Sequence, residues 1–399
     1  MFVFSTAPVH YSDPWNVPVM DRFASFVSRP HRVAYLYERP DNSTFRYRIY
    51  NMIQALQAGA MVSAGYFTAK ELDWALRAAY VADAIVVGRF RYTDELNTLI
   101  STARAKGKQV FFDVDDLVFD LAYTHLILNT LDQDLGHPAV WDHWFAYIGR
   151  IGAALDLCDS AITTNAFLAD RISQFCGKPV HVIPNFLNAE QLSHSFEIVK
   201  LKRSAGYKRD SNIHIGYFSG TPTHNKDFEI VEGSLAEMMA KDDRLVLRIV
   251  GFMEVGRELR AFGKRVERLP LMDFLNLQRV IGQVEVNIVP LLDNVFSNCK
   301  SELKYFEAGV VGTVTVATPT YTYRQAINDG INGYLARSFE WQEKIGHAVA
   351  SIDNYPELAE RAFEHSEAVY NFRNFTDTIE RTLLGDANGA MQADRFAAN

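Results

Sequence analysis

A chain of 399 residues, 48% of them apolar, is long enough to bury a large interior and leads to an expectation of about two or three domains. Its formal net charge of -8, with neither half strongly basic, argues against nucleic acid as a partner. Cys158, Cys176 and Cys299 are scattered too widely for a disulfide framework or a Cys-x-x-Cys metal pattern, which points to a reducing, cytoplasmic setting.

No charged leader opens the chain, and no apolar run approaches the length of about 18 residues that a membrane span requires. Any membrane contact is therefore expected to be peripheral, at the inner face of the plasma membrane. From residue 31 short β-rich runs alternate with helical patterns. RVAYLYE (32–38) reads as a strand, RYRIYNMIQALQAG (46–59) as a helix ending at Gly59, and DAIVVGRF (83–90) as the next strand. TDELNTLISTARAKG (93–107) is a helix stopped by Gly107, KQVFFDV (108–114) a strand, and CDSAITTN (158–165) and KPVHVIPN (178–185) continue the series. Such alternation implies crossover units and a parallel sheet.

Between Phe186 and Asn212 the pattern gives way to polar sequence carrying Lys200, Lys202, Arg203, Lys208 and Arg209. It reads as an interdomain linker or exposed hairpin whose charges are solvated, with an anionic-membrane patch as the other reading. A second alternating series follows in NIHIGYFSG (212–220), RLVLRIVGF (244–252), VEVNIVPL (284–291) and TVTVATP (313–319). The expectation is two α/β halves, an N-terminal domain over 1–200 and a C-terminal domain over 201–365. A helix over about 366–385 packs back on the first, and 386–399 form a frayed tail.

SNCKSELKYFEAGVVG (297–312) carries the strongest local signal. Ser301 suits an N-cap with Glu302 in the first turn, and Leu303, Phe306 and Val310 follow at helical spacing. At helical periodicity Lys300, Lys304 and Glu307 fall within about 60° of arc beside that apolar face. A phosphate near Ser301 would meet free backbone N–H groups and Lys300. One turn further on, Glu307 has the paired oxygens that suit two vicinal ribose hydroxyls. A plain Lys304–Glu307 surface pair is the competing reading. In IHIGYFSGTPTHNKDFEIV (213–231) a strand runs into Ser219-Gly220-Thr221-Pro222, then His224, Lys226 and Asp227 ahead of a helix. This is either a phosphate-approaching loop with Lys226 as its counter-charge or an ordinary turn with an Asp227 cap.

GVVGTV (309–314) lacks the three-glycine spacing of a dinucleotide fingerprint and lies between a helix and a strand, the wrong order for it. No Walker-type Gly-Lys-Ser/Thr loop is present.

Four ordered stretches, HVIPNF (181–186), GTPTHNKDF (220–228), KSELKYFEAGVVGTVTVATP (300–319) and YRQAINDGINGYLA (323–336), together resemble the GT-B glycosyltransferases. The resemblance is to the retaining family 4 (GT4) enzymes that build bacterial surface polysaccharides, and it runs over about residues 32–365. It implies an α/β fold of two Rossmann-like parallel-sheet domains facing across a cleft. It further implies a nucleotide-sugar donor, a saccharide or lipid-linked saccharide acceptor, and no metal or other cofactor. Donor contacts implied by matching positions are Gly220, Thr221, Lys226, Leu271, Asn298, Cys299, Lys300, Ser301 and Glu307, with Glu307 on the ribose and Lys226 on the diphosphate. Gly220 stands where many members have an arginine and Cys299 where they have a glutamate, so His224, Asn298 and backbone amides are expected to remake those contacts.

The same resemblance places FFDVDD (111–116) at the acceptor side. Asp115 or Asp116 would bond the acceptor or the transferring sugar, with Asp113 structural. The alternatives are that both cap the next turn or that the acidic knot holds a divalent ion. Arg46 and Arg48, in the loop and helix at 40–51, are candidates for an anionic acceptor group or else exposed helix arginines. Trp141, Trp144 and Tyr147 share a helical face that would stack on sugar rings or simply pack. A nucleotide-sugar epimerase and a non-catalytic glycan-binding or scaffold protein remain the rival functions.

Overall fold

The computed structural model describes residues 1–4, 7–130, 134–219 and 225–385. Its strands form two six-stranded sheets, and every pairing between named strands is parallel. Among the described residues no helix is long and apolar enough to cross a membrane.

The first sheet contains β1 (His31–Tyr37), β2 (Val62–Thr68), β3 (Ala84–Gly88), β4 (Gln109–Asp113), β5 (Ser160–Thr163) and β6 (Val180–Val182), in the order β2-β1-β3-β4-β5-β6. Ala84–Gly88 is buried along its whole length, as a central strand covered on both faces must be. β2 has no counterpart among the strands read from sequence, because Ser63 and Gly65 dilute its apolar run. Gly65 is needed there, since a Cβ would sit 2.9 Å from Phe26 Cβ of the Val19–Phe26 helix. The helix expected over 46–59 is a π-helical turn at Arg46–Tyr50 running into Asn51–Ala58, with Gly59 at its end. Thr376–Leu384 packs on this helix, and Thr376 Oγ1 donates to Ala55 O at 2.8 Å.

The second sheet contains β7 (Ile213–Ser219), β8 (Leu245–Gly251), β9 (Val266–Leu269), β10 (Val286–Val289), β11 (Val314–Ala317) and β12 (Tyr334–Leu335), ordered β12-β11-β10-β7-β8-β9. Counted from its own first strand this is the 3-2-1-4-5-6 order of dinucleotide-binding folds, with the direction of winding reversing between β7 and β10. Ile213, Ile215, Leu247, Ile249, Val286, Ile288, Val314 and Val316 fill its core together with Phe2.

The described residues divide into two compact units. One takes Met1–Tyr11, His125–Trp141 and Ala189–Asn371 with the second sheet; the other takes Ser12–Thr124, Asp142–Asn188 and the chain from Phe372 with the first. A cut at residue 200 would fall inside the Ala189–Ser204 helix, which lies wholly in the unit of the second sheet. That helix corrects the reading of 186–212 as a linker or exposed hairpin. Lys200 is exposed, as expected of a solvated charge, but Lys202 is buried and donates to Val311 O at 2.7 Å and Gly312 O at 2.9 Å.

Candidate functional site

In the unit of the second sheet, polar side chains gather where the strand order reverses. Such a switch point opens a crevice at the carboxyl ends of the strands because the loops on either side lead away from each other. β7 ends at Ser219 and the Asn225–Lys241 helix starts its return; β10 ends at Val289 and leads through Leu292 to the short Val295–Asn298 helix. Asp227 joins the two sides, its Oδ1 accepting the Leu292 N–H at 2.9 Å. The neighbouring strand end requires glycine: Gly251 has φ +104°, and a Cβ there would lie 1.8 Å from Ser219 O.

Lys304 sits among Lys300, Asp227 and Glu307. Burial pushes its ammonium down to about 8, the Lys300 charge acts in the same direction, and Asp227 and Glu307 oppose both. Its Nζ lies 5.4 Å from the Tyr217 ring centre, while Lys300 Nζ lies 4.9 Å from that of Phe296. Glu307 is 5% exposed, and Gln191 Nε2 lies 3.4 Å from its Oε1. A half-buried lysine beside a buried glutamate is not the solvated surface pair of the competing reading. Two cations and a carboxylate around a sheet-end crevice can receive an anion and a hydroxyl-bearing group side by side.

Several residues fall elsewhere than expected. The helix holding Glu307 is Leu303–Gly309; Glu302 is its N-cap residue and no side chain caps it. Ser301 lies just before the N-cap with Oγ 3.5 Å from Glu302 Oε2, so it is not the cap. Seven residues carry little dipole, which leaves the lysines as the source of positive charge. The Asn298 amide is engaged locally, donating to Asp293 Oδ1 and Asn294 O and accepting from Tyr321 N, each at 2.8 Å. Cys299 is wholly buried and offers no surface to a sugar. Lys226 and Leu271 are exposed, Lys226 in the first turn of the Asn225–Lys241 helix and Leu271 just after β9. Gly220, Thr221 and His224 lie outside the described residues.

The acidic knot of the other unit resolves into two parts. Asp113, the last residue of β4, and Arg48 are both fully buried and form a two-point ion pair, Nε to Oδ1 at 2.7 Å and the second contact at 3.0 Å. Burial raises the Asp113 pKa and the guanidinium opposes it. Arg48 also donates to Ile183 O at 2.8 Å and Asn185 Oδ1 at 3.2 Å, so it has no surface for an acceptor. Arg46 is buried as well, donating from Nε to Asn42 O at 3.0 Å and lying over the Tyr47 ring. Neither is an exposed helix arginine.

Asp115 and Asp116 share Arg89, whose terminal nitrogen lies 3.4 Å from one carboxylate and 3.3 Å from the other. Thr44 completes the group, donating to Asp115 Oδ2 at 3.0 Å and accepting from Arg89 at 3.0 Å. Burial, then repulsion from Asp116, pushes Asp115 up to about 6 against the pull of Arg89 and Arg48. Neither aspartate is merely a turn cap. Arg89 escaped the sequence reading; its signal is a position directly after β3, where it adopts φ +40°, a conformation that L side chains seldom take. Among the described residues no three His, Cys, Asp or Glu side chains are grouped to hold a metal. Trp144 and Tyr147 pack edge-on at 5.5 Å, and Arg91 lies over the Tyr147 ring.

No protein-family model matches the chain, and no curated protein does. Solved structures do. Anabaena Alr3699/HepE in complex with UDP and glucose aligns with a TM-score of 0.58 at 14% identity, over 88% of this chain and 98% of that one. The fold is GT-B. Sucrose-phosphate synthase from Thermosynechococcus elongatus aligns at TM-score 0.55 and 12% identity over 92% and 99% of the two chains. A glycosyltransferase from Rickettsia africae ESF-5 does so at TM-score 0.55 and 11% identity over 88% and 97%. Both six-stranded parallel sheets belong to this GT-B architecture of two Rossmann-like units.

Proposed function

We propose that the chain is a retaining glycosyltransferase that moves a sugar from a nucleotide-sugar donor to a saccharide or lipid-linked saccharide acceptor in surface polysaccharide synthesis. The observation that carries this reading is the convergence of Lys300, Lys304 and buried Glu307 at the strand-order reversal of the second sheet. Support comes from the GT-B neighbours, of which Alr3699/HepE is held with UDP and with UDP-glucose.

In this reading Lys300 and Lys304, with exposed Lys226, neutralise the donor diphosphate, and Glu307 accepts hydrogen bonds from the ribose diol. The bond from the anomeric carbon to the diphosphate breaks as the acceptor oxygen bonds to the same face of that carbon. The acceptor proton passes to a diphosphate oxygen, and the lysines stabilise the charge that develops on the leaving group. No metal is needed for that neutralisation. Asp115, Asp116 and Arg89 orient the acceptor or the transferring sugar, and any membrane association is peripheral, on the cytoplasmic side.

A thermal-shift panel of UDP-, GDP- and dTDP-sugars tests the donor assignment. The two ribonucleotide classes are the candidates; dTDP lacks the 2′-hydroxyl that Glu307 would bind and is expected to bind more weakly. Silence across the panel would favour a scaffold, and turnover of donor without acceptor would favour an epimerase.

A further inference from the structure

The face that the Ala189–Ser204 helix buries mixes Leu192, Ile198 and Val199 with three polar side chains. Gln191, Ser195 and Lys202 recur along it at intervals of four and seven residues, which brings them onto one stripe, and all three are buried. The stripe reaches the Leu303–Gly309 helix directly through Gln191, by way of Gln278 from Ser195, and through Lys202 at the chain just past the helix end. Gln191 approaches the Glu307 carboxylate. Gln278, from the Phe274–Gln283 helix, donates to Ser195 Oγ at 2.9 Å and to the Glu307 carbonyl at 3.1 Å. Lys202 binds the carbonyls of Val311 and Gly312, just past the far end.

Buried polar groups are costly unless they are paired, and each of these three has a partner on or around the Leu303–Gly309 helix. A seven-residue helix is too short to hold its own orientation. We infer that Gln191 is a positioning residue that sets the plane of the Glu307 carboxylate for a ribose diol, with the Ser195–Gln278 link and Lys202 holding the Leu303–Gly309 helix in register beneath it. This inference rests on the assignment of Glu307 to the ribose. The 3.4 Å separation suits such a role. A carboxylate has about four lone-pair directions, and a contact on one side of Oε1 steers the plane of the group.

The test is the preference for ribose over 2′-deoxyribose, which a purely structural residue would not change. Dissociation constants of UDP and GDP, each against its 2′-deoxy counterpart, are measured for the wild type, Glu307→Gln, Gln191→Met and the milder Ser195→Ala. The wild type should favour the ribonucleotide and Glu307→Gln should lose that preference. Gln191→Met should reduce it about tenfold, the worth of one orienting hydrogen bond to a charged group. Ser195→Ala should reduce it by a smaller factor. If Gln191→Met does not fold, Ser195→Ala decides. A wild-type preference lost in Glu307→Gln but kept in both helix variants overturns this inference and leaves the ribose assignment standing. No preference in the wild type overturns the ribose assignment, and this inference with it.

Discussion

Replacing Asp115 by asparagine separates the energetic role of the acidic cluster from any role in catalysis. In the folded chain the Asp115 carboxyl is raised from 3.8 to about 6, by burial first and by the Asp116 charge second. A shift of about two pKa units at about 1.4 kcal/mol each corresponds to roughly 3 kcal/mol by which ionised Asp115 destabilises the fold. The folded state holds its proton more tightly than the unfolded chain, so this stability is present in full below 3.8 and is lost as pH rises toward 6. Above that window the cost is constant. The substituted amide has no charge to bury and its oxygen can still accept the Thr44 hydroxyl, although Arg89 then keeps Asp116 alone as counter-charge. Urea denaturation of the wild type and Asp115→Asn at pH 3.5 and pH 7.5 reads this group together with its coupling to Asp116, because titrations away from the cluster cancel in the difference. The variant should gain about 1 to 3 kcal/mol relative to wild type between the two pH values while transfer activity falls, the pattern of a site held at a cost in stability. A stability difference that does not change with pH would refute the reasoning.

Glu307→Gln should weaken nucleoside diphosphate binding at least tenfold, the scale of a lost charge-assisted hydrogen bond, with little change in melting temperature; calorimetric titration checks it. Lys304 loses its charge as pH rises through about 8. Diphosphate affinity should therefore fall between pH 7 and 9.5 in the wild type and stay flat in Lys304→Met, as read from dissociation constants across that range. Arg48→Met leaves Asp113 charged, buried and unpaired, which should cost about 3 to 5 kcal/mol, and a second change, Asp113→Leu, should restore much of that loss in urea melts.

The strands that carry the fold were legible because they are apolar runs bounded by helical patterns: Ile213–Ser219, Leu245–Gly251 and the central Ala84–Gly88 all fall inside segments read as strands. β2 was not, since its serine and glycine serve a close helix contact rather than the apolar pattern. The Ala189–Ser204 helix failed for a related reason. Its buried face interleaves Gln191, Ser195 and Lys202 with Leu192, Ile198 and Val199, so the apolar period that betrays an amphipathic helix is broken by polar residues. At the site, Lys304 and Glu307 were found from spacing because they are neighbours on one short helix, and Lys300 was found although it lies before that helix, because it is close in sequence. The cap position was not, since the chain turns at Cys299, bends at Lys300 and starts the helix only at Leu303. Arg48 with Asp113, and Arg89 with Asp115 and Asp116, join residues tens of positions apart, and only the sheet brings them together.

A crystal structure with UDP or GDP, whichever raises the melting temperature, tests the central claim most directly. The account predicts the diphosphate beside Lys300 and Lys304 at the carboxyl ends of β7 and β10, with both ribose hydroxyls in hydrogen-bond reach of the Glu307 carboxylate. A nucleotide bound elsewhere, or one whose ribose turns away from Glu307, would contradict it.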